Sequence, residues 1–205
     1  SEIIKIVLSN DNVIHFSNVT DQALEKYIKI TKTIDSKLVT TDGWEIPKEI
    51  NYGSSYVEGN FKKSVLIPYY SDKLWKTEEM FSNFLDNSKQ VEWWFKNGDR
   101  DSTFFAVPYL ENNEELPFYI DFIVQLKNGT ICLFDTKSGR TINDAREKSD
   151  GLITYISQNK SLKLIGGIVT NTDQKNMNGR WIVFEKSGSE LNQKDFSNWK
   201  TLDLN

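Results

Sequence analysis

The stretch Phe118–Lys137, FYIDFIVQLKNGTICLFDTK, holds two apolar runs separated by Asn128-Gly129. Asn-Gly between apolar runs is a strong short-range hairpin signal. Each run carries an acid. Asp121 interrupts the first, and Asp135 lies near the end of the second, with Lys137 two residues further on. A strand apolar on both faces is normally buried, and a carboxylate there is costly unless a cation meets it.

The length of the connection decides whether the two acids meet. A three-residue loop, Lys127-Asn128-Gly129, with Gly129 left-handed, pairs Leu126 with Thr130. Asp121 then falls opposite Asp135, with β-carbons about 5 Å apart on one face. Lys137 shares that face because strand side chains alternate. A two-residue turn instead puts Asp121 opposite Thr136, on the other face; glycine at the third loop position suits the first arrangement. Carboxylates that close repel each other. Mg²⁺, a hard cation that takes oxygen ligands, relieves the repulsion, with Mn²⁺ as the alternative and the Thr136 carbonyl as a third ligand. Such a metal polarises a phosphodiester and stabilises its leaving oxygen. Lys137 would position or activate the attacking water, or neutralise charge developing on the phosphate. The plainer alternative is an ion pair between Lys137 and Asp121 or Asp135 that closes the hairpin end.

The flanking sequence supplies a scaffold. Ser71 or Asp72 starts a helix through Leu85, with Leu74, Phe81 and Leu85 on one stripe and Glu78 within it. Glu79 points about 100° away. Glu78 is therefore the acid expected to face the sheet and to reach the site through water; the alternative is a carboxylate that snorkels to solvent. Val91–Lys96 is a strand, Asn97–Arg100 a turn, and Thr103–Leu110 a strand that Pro108 confines to an edge or a bulge. Trp93 and Trp94 point to opposite faces, one into the core and one under a helix. Glu111–Pro117 reads as an acidic loop. Beyond Ser138-Gly139-Arg140, a helix from Asn143 or Asp144 to near Gln158 packs through Ala145, Ser149, Leu152, Ile153 and Ile156. That crossover makes Leu162–Thr170 parallel to Ile131–Lys137 and right-handed. Gly166-Gly167 permits a bulge or close approach. Arg180–Glu185 is a last strand, and Leu191–Asn205 a short helix with a frayed end.

Toward the N-terminus, residues 3–8 and 13–16 read as a hairpin and Thr20 or Asp21 as a helix start. Leu38–Ile46 and residues 62–70 read as strands. Residues 1–70 show no catalytic pattern and form a β-rich accessory subdomain, with the catalytic domain at 71–205. The fold class is α/β, a mixed central sheet flanked by helices.

Composition narrows the function classes. The single histidine, His15, lies far in sequence from the carboxylates and argues against a Ser-His-Asp triad, a Cys-His pair and a multi-histidine metal site, while a single cysteine excludes an internal disulfide and a thiolate metal cluster. His15 reads as a structural residue on a strand. No G-x-x-x-x-G-K-[ST] loop is present, so the 205 residues carry no nucleotide motor. The net charge of −4 argues against a free-standing module that grips DNA strongly, though not against a catalytic domain gripped to DNA by another part. No apolar run approaches the roughly 20 residues of a membrane span, and the N-terminal apolar run is too short for a secretory signal. A cytoplasmic protein without membrane contact is expected.

FYIDFIVQLKNGTICLFDTKSG resembles the PD-(D/E)XK nuclease motif, above all as it occurs in the endonuclease domain of the Res subunit of type III restriction enzymes. EEMFSNFLDNSKQVEWWFKNG is similar to the helix and first strand that precede the motif there, and FFAVPYL to the next strand. The likeness spans roughly residues 71–170. It implies a restriction-endonuclease-like core that cuts DNA with Mg²⁺. It also implies Asp121 and Asp135 as metal ligands, Lys137 as the catalytic lysine and Glu78 as a helix-borne acid. Ile120 stands where the motif has proline, and Asp135 where it often has glutamate; both are tolerated variations. Members of that family usually follow a helicase-like ATPase on the same chain. The partners implied are DNA, a helicase-like ATPase region and a methyltransferase subunit outside these residues. The alternative is a nuclease-fold module without catalysis that serves protein interaction or DNA docking in a larger assembly.

Overall fold

The structure, a computed structural model, describes Gln22 and residues 43–72, 76–99 and 103–204. Apart from Gln22, the expected N-terminal hairpin, His15 and the first helix lie outside the described residues. The elements are β1 (Tyr56–Gly59), β2 (Tyr69–Asp72), α1 (Lys76–Asn87), β3 (Val91–Lys96), β4 (Ala106–Glu111), β5 (Glu114–Tyr119), β6 (Phe122–Leu126), β7 (Ile131–Thr136), a 3₁₀ turn (Gly139–Ile142), α2 (Arg146–Gln158), β8 (Leu164–Asn171), β9 (Trp181–Phe184) and β10 (Lys200–Thr201).

Six strands build the main sheet in the order β10-β9-β8-β7-β6-β3. The β7–β8 pair is parallel and the others are antiparallel, so the fold is α/β with a mixed sheet. Period-two alternation explains why its strands are apolar on both faces. Trp94, Phe122, Phe134, Val169 and Val183 join Phe81 and Leu85 of α1 in one core cluster. Their sequence neighbours Phe95, Ile123, Leu133, Ile168 and Ile182 join Leu152 of α2, Val107 of β4 and Phe118 of β5 in the other. The result is α1 on one face and α2 with the β4–β5 hairpin on the other.

The hairpin connection is the three-residue one. Leu126 N–H donates to the Thr130 carbonyl at 2.8 Å, and Gly129, at φ 83°, donates to the Leu126 carbonyl at 2.9 Å. The β6–β7 ladder runs from Gln125 opposite Ile131 to Phe122 opposite Phe134. One step further, the same register sets Asp121 opposite Asp135. The parallel crossover also holds. Gly166 is needed there because a Cβ would lie 2.0 Å from the Leu133 carbonyl oxygen on β7.

Several expectations are corrected. The first apolar run is not one strand: Phe118 and Tyr119 end β5, and Ile120-Asp121 is a bend before β6. The acidic segment Glu111–Pro117 is not a loop. It turns at Asn112 and Asn113, both at positive φ (52° and 62°), and continues as β5 with Glu114 and Glu115 exposed. Paired left-handed residues close two-residue hairpins, and Asn tolerates that conformation. The C-terminal tail is not helical. Trp199, Leu202 and Leu204 are buried, and β10 pairs antiparallel with β9. Ser71 and Asp72 close β2 rather than capping a helix, because they pair with Val57 and Tyr56 of β1. Residues 62–70 reach strand only from Tyr69; Ser64 makes a single parallel bridge to Trp94 beside β3. From Gly43, the Leu38–Ile46 segment is a turn followed by irregular chain, in which Trp44 packs on Phe95 and Phe105. The boundary placed at residue 70 thus falls inside β2. No helix among the described residues is long and apolar enough to cross a membrane.

Phe81 fastens α1 to the sheet through Phe122, Phe134 and Trp181, with ring centroids 4.8–5.8 Å apart. It is fully buried. Phe81→Ala is expected to lower the unfolding free energy by about 3–5 kcal/mol, read from urea unfolding followed by tryptophan fluorescence.

Candidate functional site

Five charged side chains meet where β7 ends and β6 begins. Asp121 is held there by backbone and amide bonds. Asn97, the residue after β3, donates its N–H to the Asp121 carbonyl at 2.8 Å. The Asn97 side-chain amide donates to the carbonyls of Phe105 and Ile120 at 2.7 and 2.9 Å, and its oxygen accepts from Phe105 N–H at 3.1 Å. A buried amide satisfied on both ends fixes the bend, and the bend aims the Asp121 carboxylate back across β7. There Oδ2 accepts from both the N–H and the hydroxyl of Thr136, each at 2.7 Å. The Thr136 N–H faces this carboxylate because β6 supplies no carbonyl beyond its first residue.

Two lysines neutralise the acids. Lys96, the last residue of β3, lies 3.4 Å from Asp121 Oδ1 and 3.1 Å from Glu78 Oε2. Glu78 thus faces inward from the first turn of α1, while Glu79 is exposed. Lys137 forms an ion pair with Asp135 Oδ2, off the axis of a regular hydrogen bond, and its ammonium reaches the Thr136 carbonyl at 3.4 Å. The Asp135 side chain is only 2% exposed, against 17% for both Lys137 and Asp121. The structure therefore brings together Glu78, Asp121, Asp135, Thr136 and Lys137.

Electrostatics separates the three acids. Burial pushes the Asp135 carboxyl up to about 7, with the Asp121 charge adding to the rise and Lys137 opposing it. Burial also raises Glu78, against the pull of Lys96. Asp121 goes the other way: Lys96, Lys137 and the Thr136 hydrogen bonds outweigh its burial and hold it below the ordinary range. Both lysines are raised, because the surrounding carboxylates outweigh the burial of each ammonium. The Asp135–Lys137 pair accordingly holds its protons tightly from both sides.

Lys96 and Asn97 were not legible as site residues. Lys96 ends VEWWFK like any solvated strand terminus. Its place depends on the β3–β6 register, which a bulge between Val91 and Trp93 shifts so that Lys96 lies opposite Phe122, next to Asp121. A one-residue slip redirects every side chain, and nothing in VEWWFK marks the bulge. Asn97 reads as a turn residue, which it also is.

The YagJ family model matches residues 67–187, more than half of the chain. The chain belongs to the YagJ family. No curated protein and no solved structure matches it. The YagJ segment runs from within the β1–β2 connection to just past β9, and so contains every member of the cluster. β1 and β10 lie outside it.

Whether this YagJ-family site suits a divalent cation rests on its donors. Among the described residues, no three His, Cys, Asp or Glu side chains converge as a ready-made metal cluster. The oxygens in this neighbourhood that face a cation are hard ones: Asp121 Oδ1, toward Lys96, and the Asp135 carboxylate and the Thr136 carbonyl, both toward Lys137. Oxygen donors that attract cations, two of them anionic, suit Mg²⁺ or Mn²⁺, which are commonly held by one or two carboxylates with water completing the shell.

Because Asp135 titrates near 7 when folded and near 4 when unfolded, the folded state binds more protons between those values, and stability falls as pH rises through that window. Asp121, with its lowered pKa, acts oppositely: its stabilisation is present above the ordinary carboxyl range and is lost on acidification. Asp135→Asn removes only the first effect. The attraction of Lys137 is already contained in the Asp135 pKa, because Lys137 opposes the rise that burial causes. Relative to the wild type, the variant is expected to gain roughly 1–3 kcal/mol on going from pH 5 to pH 8, measured by urea unfolding at each pH. A difference between the proteins that does not change with pH would mean that Asp135 ionises as an ordinary carboxyl.

Proposed function

We propose that this chain is a Mg²⁺-dependent DNA endonuclease domain of the PD-(D/E)XK type, with a restriction-endonuclease-like core, that hydrolyses phosphodiester bonds. The single observation that carries the proposal is the gathering at the end of the β6–β7 hairpin of Asp121, bonded to Thr136, and Asp135, paired with Lys137, with Glu78 arriving from α1. The mixed sheet with a parallel β7–α2–β8 crossover supports it, since sites in open α/β sheets form outside the carboxyl ends of the strands. DNA as substrate comes from the motif resemblance. A helicase-like ATPase and a methyltransferase subunit are the proposed partners, and the net charge of −4 accords with a DNA grip supplied by such a partner.

Asp121, Asp135 and the Thr136 carbonyl would hold the cation. Bound Mg²⁺ would polarise the phosphodiester and stabilise the leaving oxygen. Lys137 acts as a cation rather than as a base, because the acids around it hold its proton above the ordinary lysine range. Its ammonium would neutralise charge gathering on the phosphate and orient the attacking water. Thr136 holds Asp121 through two hydrogen bonds and so fixes the carboxylate before substrate arrives. Glu78 would act through water at the cluster's α1 side.

One observation favours a second reading, a non-catalytic module for protein interaction or DNA docking: each of the three carboxylates already has an ammonium beside it. Cleavage separates the two. Nicking of supercoiled plasmid in Mg²⁺ or Mn²⁺ is expected from the wild type, and Asp135→Ala and Lys137→Ala should each lose at least about 100-fold in rate. Equal rates in wild type and variants would contradict the nuclease reading.

A further inference from the structure

Lys96 is the one charged member of the cluster that the nuclease reading leaves without a role. It is the last residue of β3, and its backbone is fixed by pairing with Phe122. Its side chain packs with the ammonium 5.4 Å from the centre of the Phe122 ring and 3.2 Å from the Asn97 carbonyl. From there it meets two carboxylates on different elements, Glu78 on α1 at 3.1 Å and Asp121 before β6 at 3.4 Å. Lys137 also acts on both acids from further off, but among the described residues it is the Lys96 ammonium that pairs with both; the nearer contacts of Asp121 are the two Thr136 donors, which carry no charge.

We infer that Lys96 is a built-in counter-ion that competes with a divalent cation for the acid cluster, an inference that rests on the metal-dependent reading above. Its ammonium neutralises Asp121 and Glu78 while the cation is absent and is driven off Asp121 when the cation arrives. Two features of the geometry require this. Asp121 Oδ2 is committed to Thr136, so Oδ1, the oxygen Lys96 touches, is the one left for a metal. An ammonium and a divalent cation on the same oxygen repel each other in a partly buried site, where water screens them weakly. The carboxylates in turn keep Lys96 charged despite its burial. Lys96 is thus a positioning residue: it keeps Glu78 and Asp121 together without metal and sets how much cation is needed to open the site.

Isothermal calorimetry with Mn²⁺, together with melting temperature in chelator and in Mn²⁺, tests this on the full chain. Lys96→Gln should bind Mn²⁺ at least about tenfold more tightly than the wild type, since it removes a nearby like charge. It should also melt lower in chelator, where Glu78 and Asp121 have lost their shared ammonium and keep only the more distant Lys137, and gain more from Mn²⁺ than the wild type does. Lys96→Arg, which keeps the charge, should bind like the wild type. If Lys96→Gln does not fold, Lys96→Met, which keeps the apolar stem against Phe122 and removes the charge, should bind more tightly than the wild type. Wild-type binding with equal or weaker binding by Lys96→Gln overturns the counter-ion and leaves the metal site standing. Absence of Mn²⁺ binding from every protein overturns the metal-dependent reading, and the counter-ion with it. Binding by Lys96→Gln, with none by the wild type or Lys96→Arg, supports both.

Discussion

Three carboxylates cannot be gathered at the end of an apolar sheet without cations beside them. Burial pushes Asp135 up to about 7 even with Lys137 opposing the rise, and Glu78 is pushed in the same direction. The fold meets this demand with two lysines, each delivered by the last turn of a strand: Lys96 from β3 and Lys137 from just beyond β7. The surrounding architecture follows from holding these groups in place. α1 must dock closely enough for Glu78 to reach Lys96, and Phe81, packed edge-on or tilted against Phe122, Phe134 and Trp181, does that. β5 must give way to β6 at a bend, and Asn97 fixes it.

The two lysines are not equivalent. Lys137 sits on the most buried acid, close to the Thr136 carbonyl, as a catalytic cation would. Lys96 joins two acids from different elements and holds the cluster closed. An acid cluster balanced by its own lysines is stable without metal and gives up that balance only to a stronger cation. The same balance makes the non-catalytic alternative coherent, since a site whose lysines are never displaced would be a purely structural ion-pair network. The two readings differ in one physical quantity, the ability of a divalent cation to outcompete an ammonium at Asp121 Oδ1.

Much of this was legible in the residues. The glycine at the third loop position suited the three-residue turn that the hairpin has, and that turn brings Asp121 and Asp135 to the same end of it. The stripe of Phe81 and Leu85 turned Glu78 inward. The apolar period of β7 to β8, with a helix between, required the parallel crossover. What escaped depended on contacts distant in sequence. Asn112-Asn113 adopts a hairpin turn, but the acids around it looked like loop. Trp199, Leu202 and Leu204 read as a frayed tail because their partner, β9, lies some twenty residues earlier. Lys96 was hidden by a bulge that no local residue announces, and Asn97 by the fact that a buried amide and a turn residue look alike in sequence.

The most direct measurement is anomalous diffraction from crystals equilibrated with Mn²⁺. The account predicts one strong peak bonded to Asp121 Oδ1 and the Asp135 carboxylate, with the Lys96 ammonium turned away from Asp121 and retained by Glu78. Crystals at saturating Mn²⁺ with no peak between those carboxylates, and with both ammoniums still on their acids, would contradict it.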